Sequence, residues 1–198
     1  QFHHLGIDSA KIGKRSVQQM ASLLFICGMP GSGKSSFGKR LANKLGWSFL
    51  DLDERITETS GQSPQQLIIL SGEDEFRRIE SEILRSTAGK ENHVIACGGG
   101  TPCFHDNLAW MKKHGIVAYL ELPLKTIHQR ILQSEGFKKR PLLGNSPEFV
   151  LENLSRTWSE RESYYSIINW KINGLDLKLP AIIEEFQKRL AAFNEASH

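Results

Sequence analysis

The sequence is short of several features, and each shortage excludes something. No apolar run approaches the roughly 20 residues that a membrane-spanning helix needs, so no membrane partner is expected. Neither sign of charge dominates. The formal net charge is +3, too small to argue for nucleic acid or a membrane surface. Internal repeats and low-complexity tracts are missing, which sets aside solenoids and repeat arrays. Cysteine is scarce: Cys27, Cys97 and Cys103 are odd in number and lack metal-ligand spacing, so neither a disulfide framework nor a zinc site is expected. They read instead as small hydrophobes in a reducing, cytoplasmic setting. Residues 1–19 lack the continuous apolar core of a secretory signal.

What is present is an ordinary composition for a soluble globular protein, 39% hydrophobic and 24% charged over 198 residues, enough for one domain with a substantial core. Residues 1–19 show no apolar periodicity, and Met20 stands directly before the first apolar run. They are expected to form a leader, disordered or foreign to the natural chain, with a single domain over 20–198. A native amphipathic targeting piece is the alternative. The leader carries Lys11, Lys14 and Arg15 against Asp8, a net +2 that leaves the remainder at only +1.

The remainder is organised around Gly28-Met29-Pro30-Gly31-Ser32-Gly33-Lys34-Ser35. This stretch fits G-x-x-x-x-G-K-[ST], the phosphate-binding P-loop. The buried run Ser22–Cys27 precedes it as a strand, and Ser36–Leu45 follows as a helix closed by Gly46. Glycines let backbone N–H groups point into a concave nest for phosphate oxygens. The helix that follows adds its partial positive charge. Lys34 suits the β- and γ-phosphates of a nucleotide, and the Ser35 hydroxyl suits Mg²⁺. A glycine-rich turn without a ligand is the plainer alternative.

Downstream, apolar runs and helical patterns alternate. Strands are expected at Trp47–Leu50, His93–Cys97, Ile116–Leu120 and Ser166–Ile172. Helices are expected over Glu54–Thr59, from Pro64 behind a Ser63 cap, over Glu73–Thr87, Asp106–His114, Leu124–Gln133, Pro147–Tyr165 and Pro180–Phe193. Ser134–Asn145 is polar, basic and bounded by glycine, and reads as a mobile loop. This alternation predicts a parallel sheet covered on both faces, with right-handed crossovers that bring the loops after the strands to one edge. Ligands bind there, so the P-loop, Asp51/Asp53 and Gly98–Gly100 should converge.

Several residues near that edge invite two readings. Asp51 and Asp53, two apart at a strand end, should face one side and suit a Mg²⁺ site and a group that orients an attacking hydroxyl. Alternatively, Asp53 is only the N-cap of the next helix. Gly98-Gly99-Gly100 suits backbone lying against a small polar substrate, or is a plain turn. Arg77 offers a planar fork for a carboxylate, with Glu80 three residues on to hold it, or belongs to an exposed helix face. Arg78 reads as surface, paired with Glu82. Arg161 alone would also read as surface. Arg140, held extended by Pro141, suits a cation brought to a transferring phosphoryl group, or lies in a solvated loop.

Taken in order, these pieces resemble the shikimate kinases. That family has the P-loop form of Gly28–Ser35, the D-x-D of Asp51 and Asp53, and the G-E-x-E-F-R-R-x-E of Gly72–Glu80. It also has the G-G-G of Gly98–Gly100, the R-P-L-L of Arg140–Leu143 and the R-x-x-x-Y of Arg161 and Tyr165. The likeness runs from Met20 to Ile172. It implies a three-layer α/β/α P-loop kinase with a five-stranded parallel sheet, a helical substrate-binding region over about 53–87, and a mobile lid over about 134–146. It implies transfer of the ATP γ-phosphate to the 3-hydroxyl of shikimate, giving shikimate 3-phosphate and ADP in aromatic amino acid biosynthesis.

By the same resemblance, Asp53 orients and deprotonates the hydroxyl, and Lys34 and Arg140 neutralise the transferring group. Arg77 and Arg161 hold the shikimate carboxylate with Glu80 behind Arg77, and Gly98, Gly99 and Gly100 line the substrate. Gly31, Ser32, Gly33, Lys34, Ser35 and Ser36 bind ATP with Arg130 on the adenine and Arg140 on the phosphates. Ser35 serves Mg²⁺ directly and Asp51 through water. The enzyme is expected to be a cytoplasmic monomer. Two departures stand out. Ile68 occupies the position of an aromatic that packs on the substrate ring in the family, and Asn173–Pro180 matches the adenine-binding region poorly. The competing expectations are another small-molecule P-loop kinase, such as a gluconate kinase, and a catalytically silent nucleotide-binding homologue.

Overall fold

Five short apolar segments pair side by side and all run the same way. The computed structural model describes residues 22–134 and 146–196; the leader and Arg140, with most of the expected lid, lie outside them. The strands are β1 (Leu23–Cys27), β2 (Ser48–Asp51), β3 (His93–Ala96), β4 (Ile116–Glu121) and β5 (Trp170–Asn173). Their order in the sheet is β2-β3-β1-β4-β5, every pairing parallel. All five residues of β1 are buried. Since alternate side chains of a strand point to opposite faces, β1 must be covered on both sides. The expected three-layer parallel architecture is therefore the observed one.

The helices are α1 (Lys34–Leu45), α2 (Leu52–Ser60), α3 (Pro64–Ser71), α4 (Glu73–Arg85), α5 (Asn107–His114), α6 (Leu124–Gln133), α7 (Pro147–Ser166) and α8 (Leu179–Ala196). Local signals set most of their ends. Gly46 closes α1 in the left-handed conformation at φ 68°, donating to the carbonyls of Ala42 and Asn43. Ser63 and Gln66 form a reciprocal capping box at the start of α3, with Pro64 as its first residue.

Two expectations are corrected. The segment from Ser166 is not yet strand: α7 runs through Ser166, and β5 begins at Trp170. The reason is tertiary. Tyr165 is fully buried in a stack with Tyr119 and Trp158, and its hydroxyl donates to the Gly99 carbonyl at 2.5 Å. That anchors the last turn as helix. Second, Asp53 does not cap α2. Asp51, the last residue of β2, is the N-cap, and its Oδ1 accepts from the N–H groups of Asp53 and Glu54 at 3.0 and 3.3 Å. Asp53 is thus helical, and the two carboxylates do not share a strand face.

Because the strands are parallel, their carboxyl ends lie along one edge. The P-loop follows β1, Asp51 ends β2, and the three glycines follow β3. With β1 in the centre, β3 on one side and β4 on the other, the chain leaves β1 where crossovers diverge, the position at which open α/β sheets hold ligands.

Candidate active site

The P-loop leaves the N-terminus of α1 open. Gly33 is the N-cap with φ 93°, a conformation that glycine adopts without strain, and no side chain caps the helix. The first N–H groups of α1 therefore keep unpaired donors for an anion. Ser32 adds a buried hydroxyl with no hydrogen-bond partner among the described residues. Lys34 is buried, and its ammonium donates to the carbonyls of Gly28 and Met29 at 2.9 and 3.0 Å. Burial pulls its pKa down from the usual lysine range, opposed chiefly by the Asp53 carboxylate.

Beside the loop is a cavity of about 350 Å³ lined by Gly31, Gly33, Lys34, Ser35, Ser36 and Arg130, among others. Arg130 donates to the Ser32 carbonyl at 2.9 Å, which places it on the loop itself. Ser35 donates to Asp51 Oδ2 at 2.5 Å. A hydroxyl and a carboxylate in that contact form a hard oxygen pair of the kind Mg²⁺ uses together with phosphate and water. Asp51 thus serves two partners at once, the α2 backbone through one oxygen and Ser35 through the other.

A second cavity, of about 340 Å³, opens on the far side of Lys34. Asp53, Arg77, Glu80, the three glycines and Arg161 all line it, so the dispersed candidates of the sequence meet in one place. Asp53 lines this cavity and is exposed as a residue, yet its carboxylate is partly desolvated by the protein packed around it. That packing, and then the nearby Asp51 charge, push its pKa to about 6, while Lys34 draws it down. A carboxylate so poised suits proton acceptance near neutral pH.

Arg77 projects from the buried face of α4. Its Nη1 donates to Glu80 Oε2 at 2.8 Å, while Nε and Nη2 donate to Glu73 Oε1 at 3.2 and 3.0 Å. Its guanidinium carbon lies 4.2 Å from the Phe104 ring centre and 4.8 Å from that of Phe76. Three of five N–H donors are spent, so one remains on each terminal nitrogen, a pair fit for a carboxylate. Arg78 points the other way, exposed and paired with Glu75 and Glu82, as expected.

The glycines have a packing reason beyond contact with a ligand. A Cβ on Gly100 would sit 2.5 Å from Arg77 Nη2, one on Gly99 2.7 Å from Pro30, and one on Gly98 2.8 Å from Glu80 Oε1. Each glycine makes room for a different part of the site. Four partners were not found by sequence reasoning. Glu73 had a visible signal, its i,i+4 spacing to Arg77. Thr101 and Phe104 come from the segment after β3 and had none, and Thr157 of α7 lines the second cavity beside Arg161 without one. Ile68, in place of the family's aromatic, does line the cavity, together with Phe76.

Residues 30–191 match the shikimate kinase family. The chain belongs to that family. A shikimate kinase from Phocaeicola vulgatus is 33% identical over 172 residues, covering 84% of this chain and 97% of its own. The solved structure of an Acinetobacter baumannii shikimate kinase in complex with shikimate matches with a TM-score of 0.75 at 26% identity, over 88% of this chain and 95% of that one. A gluconokinase from Sinorhizobium meliloti matches at 17% identity, over 90% of this chain and 97% of its own, with a TM-score of 0.52. That likeness is one of fold alone. Membership therefore rests on the family match, and the arginine-carboxylate cluster is the feature of this chain that a fold match by itself does not supply.

Proposed function

We propose that this chain is an ATP-dependent kinase that phosphorylates the 3-hydroxyl of shikimate, releasing ADP and shikimate 3-phosphate. Family membership supports the activity. The observation that carries the residue roles is that Lys34 forms part of the wall of both cavities, so a phosphate cradle and an acceptor pocket meet at one ammonium.

In this reading the glycine loop, Ser32, Ser36 and the open end of α1 hold the ATP phosphates, with Arg130 at the edge of the nucleotide. Arg77 and Arg161 bind the acceptor carboxylate, and Gly98–Gly100 line it. That fixes the hydroxyl near Asp53. Asp53 takes the hydroxyl proton as the oxygen forms its bond to the γ-phosphorus and the bond to the ADP oxygen breaks. Lys34 leaves the loop carbonyls for the transferring group and offsets its charge. Arg140 would add a second cation from outside the described residues. The Ser35–Asp51 pair fits Mg²⁺: Ser35 would hold it and Asp51 would reach it through water. The ion would supply neutralisation of phosphate charge.

Among the described residues no helix is long and apolar enough to cross a membrane, and all three cysteines are unpaired. Our reading is of a cytoplasmic, monomeric enzyme. A coupled assay of ADP release tests the proposal, with ATP and Mg²⁺ and with shikimate, gluconate or no acceptor. Turnover that requires shikimate is the expected result. Turnover on gluconate alone would assign the rival kinase activity, and nucleotide binding without turnover on either acid would make the chain a silent homologue.

A further inference from the structure

Glu80 is the least accessible charged group of the acceptor pocket, fully buried. One of its oxygens, Oε2, accepts from Arg77. The other, Oε1, accepts from Thr101 Oγ1 at 2.6 Å. Thr101 is itself fully buried, so it cannot touch an acceptor molecule. It opens the short 3-10 turn Thr101–Cys103 that follows the three glycines, and its N–H donates to the Gly98 carbonyl at 3.2 Å.

The main chain of Thr101 is tied to α4 by a second, independent route. Asn107 Nδ2 donates to the Thr101 carbonyl at 2.9 Å, and Asn107 Oδ1 accepts from Ser81 Oγ at 2.9 Å. Ser81 is the residue after Glu80. The turn is therefore held against α4 whether or not the Thr101 hydroxyl is present. The hydroxyl has a narrower task, which is to fix the rotation of the Glu80 carboxylate.

We infer that Thr101 is a positioning residue for the carboxylate-binding arginine, acting through Glu80. The inference rests on the reading of Arg77 as the group that binds the acceptor carboxylate. A buried carboxylate that loses one of its two donors turns toward the donor that remains. Here that donor is Arg77, whose Nη1 is held by Glu80 Oε2 and whose terminal nitrogens each keep one N–H for an acceptor. Turning Glu80 misaligns the pair. The Phe104 ring against the guanidinium and the close approach of Gly100 leave Arg77 little room to compensate.

Steady-state kinetics of Thr101→Val and Thr101→Ser, with Arg77→Ala alongside, tests this. Valine keeps the shape and removes the hydroxyl, and serine keeps the hydroxyl. Thr101→Val should raise the KM for shikimate about tenfold and, by leaving a buried carboxylate oxygen unpaired, lower the melting temperature, with kcat and the KM for ATP close to wild type. Thr101→Ser should restore the KM. If Thr101→Val leaves the KM for shikimate unchanged while Arg77→Ala raises it, the inference fails and the reading of Arg77 stands. If serine is as impaired as valine, or the KM for ATP moves together with the KM for shikimate, the role is packing and the inference is overturned. An unchanged KM for shikimate in Arg77→Ala would overturn the reading of Arg77 and the inference with it.

Discussion

Arg77 and Glu80 hold each other at 2.8 Å on one face of α4, with side-chain exposures of 7% and 0%. Removing Glu80 takes away the buried partner of Arg77, leaves it only the half-exposed Glu73, and strips the Thr101 hydroxyl of its acceptor. Glu80→Ala should lower unfolding stability by about 3–5 kcal/mol and raise the KM for shikimate. Denaturant unfolding at neutral pH, read with the kinetics, checks both. A variant as stable as wild type would mean that water reaches Arg77 freely.

Asp53 gives a pH dependence with a definite sign. Its proton-accepting form is the carboxylate, and its pKa is raised to about 6. Lowering the pH through that value fills the carboxyl with a proton and removes the proposed base, so kcat/KM for shikimate should fall on the acid side of about 6 and level off above it. Asp53→Asn should lose most turnover while still binding ATP. An acid limb unchanged in position in a weakly active Asp53→Asn enzyme would assign the titration to another group.

Asp51 serves the backbone and Ser35 at the same time, and the two tasks can be separated. Asp51→Ser keeps a good N-cap for α2 but has no carboxylate. Removal of a cap altogether, as in Asp51→Ala, costs about 1 kcal/mol. The serine variant should therefore melt near wild type yet need more Mg²⁺ for half-maximal rate. The alanine variant should show both defects. Equal Mg²⁺ requirements in all three proteins would remove Asp51 from the metal site.

The glycine triplet predicts a split between two substrates. A Cβ on Gly100 meets the Arg77 guanidinium, whereas one on Gly99 meets Pro30 in the phosphate loop. Gly100→Ala should chiefly raise the KM for shikimate, whereas Gly99→Ala, whose Cβ meets a phosphate-loop residue that also lines the acceptor cavity, should raise the KM for ATP and the KM for shikimate together. Measuring both constants for both variants checks the assignment, and identical profiles would refute it.

Much of this was legible because its causes are local. The start of α3 was announced by Ser63-Pro64 and the end of α1 by Gly46. The apolar runs of β1, β3 and β4 are short, contiguous and bounded by turn residues. The site was legible as a list of residue types placed after strands, which parallel topology gathers at one edge. What was not legible depends mostly on contacts between distant segments. Whether Asp51 or Asp53 caps α2 depends on where the helix begins, a matter of two residues that the contacts of Asp51 with the Asp53 and Glu54 N–H groups settle. The helical state of Ser166 follows from Tyr165 reaching Gly99. The roles of Thr101 and Phe104 depend on a turn that lies beside α4 only once β3 has joined the sheet.

Lys34, placed in the wall between two cavities, has a thermodynamic consequence. A ligand in either cavity changes the field and the hydrogen bonds of a group that the other ligand also meets. The free energies of the two binding events are then not independent. By linkage the coupling is symmetrical: the factor by which bound nucleotide changes the affinity for the acceptor is the factor by which bound acceptor changes the affinity for nucleotide. The coupling passes through one ammonium, at present held by the carbonyls of Gly28 and Met29, and whichever substrate arrives first finds it unengaged by the other.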